Sequence, residues 1–78
     1  MNEIALTTIT DKYLIYTYHP NGEAGFGRIL YSLKLKKTRT INKAKEDYLG
    51  HYAHKAKSFI EKALIKGTVP KRLIQGWY

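Results

Sequence analysis

A chain of 78 residues holds one hydrophobic core and not two, because a domain this small buries only a little over about 60% of its unfolded surface. Fourteen Lys and Arg stand against six Asp and Glu, a formal net charge of +8, and there is no cysteine. Those counts exclude a disulfide framework and a thiolate metal site, while 44% hydrophobic residues, ten of them aromatic, exclude a chain too polar to fold.

The charge is also unevenly placed. Residues 1–27 hold Lys12 against Glu3, Asp11 and Glu23, a net of −2, whereas residues 28–78 hold thirteen Lys and Arg against Glu46, Asp47 and Glu61, a net of +10. A field of that sign draws in polyanions or acidic protein surfaces and speeds encounter with them. The opening residues Met1 to Thr8 lack a basic segment leading into an apolar one, and nowhere do eighteen apolar residues run together. A single soluble, cytoplasmic domain over 1–78, without membrane contact, is therefore expected.

In chain order, Ile4 to Thr10 is rich in β-branched residues and reads as a first strand. Asp11-Lys12 forms a tight turn into a second strand, Tyr13 to Tyr18. His19-Pro20-Asn21-Gly22 follows, and Asn-Gly suits the positive φ angles of a two-residue hairpin turn. That turn would set Tyr18 opposite Gly25, Tyr16 opposite Gly27 and Leu14 opposite Ile29, with large rings over small residues. A third strand from about Phe26 to Lys36 alternates between an apolar side (Ile29, Tyr31, Leu33, Leu35) and a cationic one (Arg28, Lys34, Lys36).

A helix is predicted next, capped at Thr40 or Asn42 and ending at Gly67. Ile41, Ala44, Tyr48, Tyr52, Ala56, Phe59, Ile60, Ala63 and Leu64 recur at steps of three and four, and Gly50 interrupts the run as a tolerated outer-face residue. Lys62 and Lys66 suit the negative end of its dipole. In the tail, Pro70 opens a short turn that folds Leu73 and Ile74 onto the core, and Trp77 and Tyr78 act as a core plug or an aromatic hook. The expected fold is thus α+β: a three-stranded antiparallel sheet packed by one long helix from about Thr40 to Lys66, with a short C-terminal appendage closing an edge.

Catalytic patterns are absent from the sequence. Ser32 and Ser58 sit in no nucleophile elbow, Gly25-Phe26-Gly27 is too short to cradle a phosphate, and the neighbours Glu46 and Asp47 diverge on a helix. Asp47, His51 and His54 fall on one helix flank, but the spacing of the two histidines departs from the i, i+4 pair that binds zinc. Asp47 and His51 read as a surface pair. No enzyme activity, metal or cofactor is expected.

The cations remain. His51, Lys55, Ser58, Lys62 and Lys66 follow at steps of three and four along one flank of the predicted helix. Lys34, Lys36, Lys37 and Arg39 precede it and lead into Lys43 and Lys45, and Lys71 and Arg72 follow. Eleven lysines to three arginines favour point-charge contact with phosphates over bidentate base reading. The outer sheet face offers a second surface, with Tyr13 and Phe26 as stacking rings near Arg28, Lys34 and Lys36. The leading expectation is a non-catalytic DNA- or RNA-binding protein that contacts phosphates through the helix ridge and the strand-helix junction. The alternative is a small inhibitor or adaptor of the phage or plasmid accessory type, set against an acidic or nucleic-acid-binding groove of a larger complex. A homodimer through the uncovered sheet face is a further candidate.

Overall fold

The computed structural model describes residues 2–21 and 25–75. β1 (Asn2–Ile9) and β2 (Tyr13–Pro20) pair antiparallel. The Thr10 hydroxyl accepts the backbone N–H of Lys12 at 3.1 Å and of Tyr13 at 3.0 Å, which closes the turn between them. β3 (Gly27–Ser32) pairs with β2, β4 (Lys37–Asn42) with β3, and β5 (Arg72–Gln75) returns to β1. The sheet order is β4-β3-β2-β1-β5, antiparallel throughout. Among the described residues one helix, α1 (His51–Ile65), crosses a single face of it, and no helix lies against the other.

The strand pleat sends alternate side chains to opposite faces, which decides the core. Ile4, Leu14, Tyr16, Tyr18, Ile29 and Tyr31 point beneath α1 and are buried with Ala53, Ala56 and Ile60 of the helix and Ala44 before it. Small alanines on the helix let its backbone sit close to the tyrosine rings. Each ring contributes a large apolar area, and its hydroxyl must find a partner. Tyr16 donates to the Pro70 carbonyl at 2.8 Å. Tyr18 donates to Asp47 Oδ2 at 3.0 Å and accepts the Ala44 N–H at 3.1 Å. Burial pushes both phenols up, Tyr18 to about 12.

Asp47 is the hub of the helix start. It is 3% exposed, and its two oxygens accept the backbone N–H groups of Tyr52 at 3.0 Å and Ala53 at 2.9 Å. These are two of the donors that a helix N-terminus leaves without an intrahelical partner. Glu61, farther along α1, accepts both the backbone N–H of Thr38, at 3.1 Å, and the Thr38 hydroxyl, tying α1 to β4.

Three expectations are corrected. The sheet has five strands, and the helix spans His51–Ile65 instead of running from about Thr40 to Lys66. Residues 37–42 belong to β4, because Thr38, Thr40 and Ile41 are β-branched and find an open edge on β3. Gly50 is not inside the helix but immediately before it, at φ 76°, a left-handed conformation that glycine adopts without steric cost.

The β2–β3 register also differs: Tyr18 faces Gly27, Tyr16 faces Ile29 and Leu14 faces Tyr31. A shift of two residues keeps the paired side chains of β2 and β3 on their predicted faces, whereas one residue would have inverted them. The connection runs from residue 21 to residue 26, longer than the two-residue turn expected at Asn21-Gly22. Gly22 lies outside the described residues, as do Trp77 and Tyr78. β3 stops at Ser32, so Leu33 and Leu35 leave the apolar face for an exposed turn. There the Ser32 hydroxyl accepts the Leu35 N–H at 3.1 Å, the Ser32 carbonyl accepts the Lys36 N–H at 2.8 Å, and Lys36 has φ 56°.

Candidate nucleic-acid interface

The cross-strand register gathers all three arginines of the chain on the face that α1 leaves uncovered. One row of directly opposed residues runs Asn42, Arg28, Thr17, Ala5, Arg72 across β4, β3, β2, β1 and β5. The next row runs Arg39, Leu30, Ile15, Thr8, and a third runs Lys37, Ser32, Tyr13. Arg28 and Arg39 are therefore diagonal neighbours, about 7–8 Å apart at their Cα atoms. Lys37 and Arg39 are two residues apart on one strand, about 7 Å. Arg72 stands three strands from Arg28, about 14 Å. Arg28, Lys37, Arg39 and Arg72 are all exposed.

Phe26, just ahead of β3, supplies the aromatic element. It is 42% exposed, its ring centroid lies 5.7 Å from that of His19, and the Arg28 guanidinium carbon sits 5.3 Å from it. The cation is thus held over the ring face by their mutual attraction. Thr7, Thr8, Ile15, Thr17, Phe26, Arg28 and Ile41 enclose a shallow groove of about 490 Å³ on this face. Its floor is apolar or hydroxylated, and its wall is the Phe26–Arg28 stack. Among the described residues of the five strands, Glu3 is the one carboxylate on this face, opposite His19 and diagonal to Arg72. A surface of this make-up offers a ring for base stacking, hydroxyls for hydrogen bonds and a run of cations for phosphates.

The remaining predicted contacts divide. Lys34 joins the open face at the Tyr13 end, where the two line a second groove with Asp11, Lys12 and Leu30. Tyr13 and Phe26 do not form one platform: the Phe26 ring lies against His19, six residues along β2 from Tyr13, about 20 Å. Lys36 turns instead toward the helix side of the sheet. Lys43 donates to the Tyr48 carbonyl at 2.6 Å and holds the loop before α1, and Lys45 is exposed on the same loop. Lys71 is exposed, and its carbonyl accepts the Leu6 N–H at 2.8 Å where β5 begins.

Lys55 and Lys62 do line up on α1, with Lys66 as its C-terminal cap, but on the layer opposite the arginines. The helix ridge therefore does not merge with the sheet face, and the strand-helix cluster divides: Lys34, Lys37 and Arg39 join that face, whereas Lys36 does not. Arg39 and Arg72 were visible in the sequence only as charges, since β4 and β5 went unrecognised. A search for strand parity over residues 37–42 and 72–75 is the signal that brings them together with Arg28.

Two of the catalytic and metal candidates, Asp47 and Ser32, make structural hydrogen bonds. Asp47 is buried under the helix start, so it makes no surface pair with His51. Ser32 fastens a turn, and among the described residues no group of three His, Cys, Asp or Glu side chains is placed to hold a metal ion. No helix among the described residues is long and apolar enough to cross a membrane. Comparison with protein families, curated proteins and solved structures finds no match to this chain.

Proposed function

We propose that this protein binds single-stranded nucleic acid on the open face of its sheet, as a non-catalytic binding protein. The observation that carries the reading is the convergence of Arg28, Arg39 and Arg72, from three different strands, on the face that also presents the Phe26 ring. An exposed antiparallel sheet with rings and cations receives splayed bases and the phosphates between them. Arginine suits this role because its planar guanidinium both stacks on a base and grips phosphate oxygens bidentately. A base seated in the groove beside Phe26 has Thr8 and Thr17 hydroxyls within the same groove, while Arg28, Lys37 and Arg39 track the chain along β3 and β4.

The test is anisotropy titration of a labelled oligo-dT and an oligo-U of twenty nucleotides at 50 and 200 mM salt. Four phosphate contacts on a single strand give a log-log salt slope of about −3, a drop in affinity of about 50-fold between the two salts. Arg28→Ala and Arg39→Ala each flatten that slope by about 0.7. Phe26→Ala removes a stacked base and lowers affinity by about 5- to 150-fold, corresponding to about 1–3 kcal/mol. Lys55→Glu with Lys62→Glu, on the opposite layer, leaves the slope within about 0.5 of the parent. If the helix pair abolishes binding and the arginine variants do not, the sheet face is not the site.

A further inference from the structure

Away from the arginine face, the molecule carries an apolar cleft that the described residues do not fill. It opens where the C-terminal end of α1 passes the β1–β2 and β3–β4 turns, encloses about 550 Å³, and is lined chiefly by Ile9, Leu33, Leu64, Ile65 and Val69, with Leu14 and Tyr31 at its floor. Ile65 is 74% exposed and Ile9 68%, and Leu35 on the adjoining turn is exposed as well. Large aliphatic side chains in one contiguous exposed cluster mark an interaction surface on a small domain. The lining includes Lys36 and no carboxylate. The exposed Lys66 sits in the chain between the lining residues Ile65 and Gly67, so a second cation stands beside the cleft.

We propose that this cleft docks an acidic amphipathic helix of a partner protein. The openness of the cleft argues for a macromolecular segment: a small apolar ligand binds where most of its surface is enclosed, and here the walls themselves stand in solvent. A helix laid in a groove anchors two or three apolar side chains spaced i, i+3, i+4 and i+7, which suits a lining of exposed aliphatic side chains. Charge settles the sign of the flanks, since Glu or Asp beside those anchors meets Lys36 and Lys66, whereas Lys or Arg there meets like charge. The site is independent of the Phe26–Arg28 groove, so one chain can hold nucleic acid on one surface and a protein on another.

The experiment uses the full chain and two labelled peptides of sixteen residues. Both carry Leu and Phe anchors at i, i+3, i+4 and i+7; one has Glu at the flanking positions and the other Lys. With the Glu peptide, methyl resonances of Ile9, Leu33, Leu64, Ile65 and Val69 shift, and the Lys peptide binds at least tenfold more weakly. Ile65→Glu and Lys36→Glu each lower affinity for the Glu peptide at least tenfold while the melting temperature holds, as befits exposed positions. Arg28→Ala leaves peptide binding unchanged even where it weakens oligonucleotide binding. Equal affinity for the two peptides overturns the proposal, as does the absence of methyl shifts at millimolar peptide. So does tighter binding of decanoate at the same methyls, which indicates a small-ligand site. Sedimentation showing a dimer that Ile65→Glu dissociates assigns the cleft to a second copy of the chain and equally overturns it.

Discussion

Replacing Asp47 by Ala removes one side chain and strands three donors. In the parent its carboxylate accepts the Tyr52 and Ala53 N–H groups and the Tyr18 hydroxyl proton, and Tyr18 in turn accepts the Ala44 N–H. Losing a helix cap costs about 0.5–2 kcal/mol. Leaving a donor such as the Tyr18 hydroxyl buried without an acceptor adds about 1–3 kcal/mol. The combined loss centres on about 3 kcal/mol, a large share of the roughly 5–15 kcal/mol that holds a domain together. In a domain of this size each kilocalorie moves the midpoint by about 4–8 °C, so the melting temperature falls by about 12–24 °C. Circular dichroism at 222 nm during heating, with urea melts alongside, reads both quantities. Asp47→Asn keeps one acceptor oxygen and is expected to lose about half as much. An Asp47→Ala protein melting within about 3 °C of the parent, or Asn more damaging than Ala, refutes the assignment of Asp47 as the hub.

Gly27→Ala tests the packing across β2 and β3: a Cβ there would overlap the Tyr18 ring, whose hydroxyl is pinned on two sides. Overpacking of this kind costs about 1–3 kcal/mol, and a melting temperature unchanged in Gly27→Ala contradicts the contact. Tyr18 gives an alkaline prediction. Its phenol is pushed up to about 12 in the fold, chiefly by burial, from an ordinary value of 10.0. The folded state therefore keeps the proton longer, so the Tyr18 contribution is complete below pH 10 and disappears as the pH climbs toward 12. Absorbance at 295 nm, parent minus Tyr18→Phe, is expected to show one phenol titrating near the upper value; a midpoint near pH 10 contradicts its burial.

The first two strands and the faces of β2 and β3 were legible because alternation and β-branching coincide there with no competing period. Residues 37–48 were not, since Ile41, Ala44 and Tyr48 sit at steps of three and four that fit a helix while Thr38 and Thr40 fit a strand. The local pattern is ambiguous, and the unpaired edge of β3 decides it, which is a tertiary effect. Gly50 carried the missing signal: a glycine inside a helical pattern weakens it, and here it marks the helix start. The short β5 segment, Arg72 to Gln75, offers only four residues of pattern and is fixed by pairing with β1. The candidate site suffered from the same gap. Arg28 and Phe26 were placed correctly beside each other, but Arg39 and Arg72 join them only once β4 and β5 are known. The helix ridge, conspicuous in the sequence as spaced lysines, lies on the other layer.

The most direct measurement is a map of amide and methyl shifts while unlabelled oligo-dT is titrated into isotope-labelled protein at low salt. Perturbations should concentrate at Thr8, Ile15, Thr17, Phe26, Arg28, Leu30 and Arg39, with α1 silent from Lys55 to Lys62. Shifts confined to α1, or none at all at a tenfold excess of oligonucleotide, would contradict a nucleic-acid site on the open sheet.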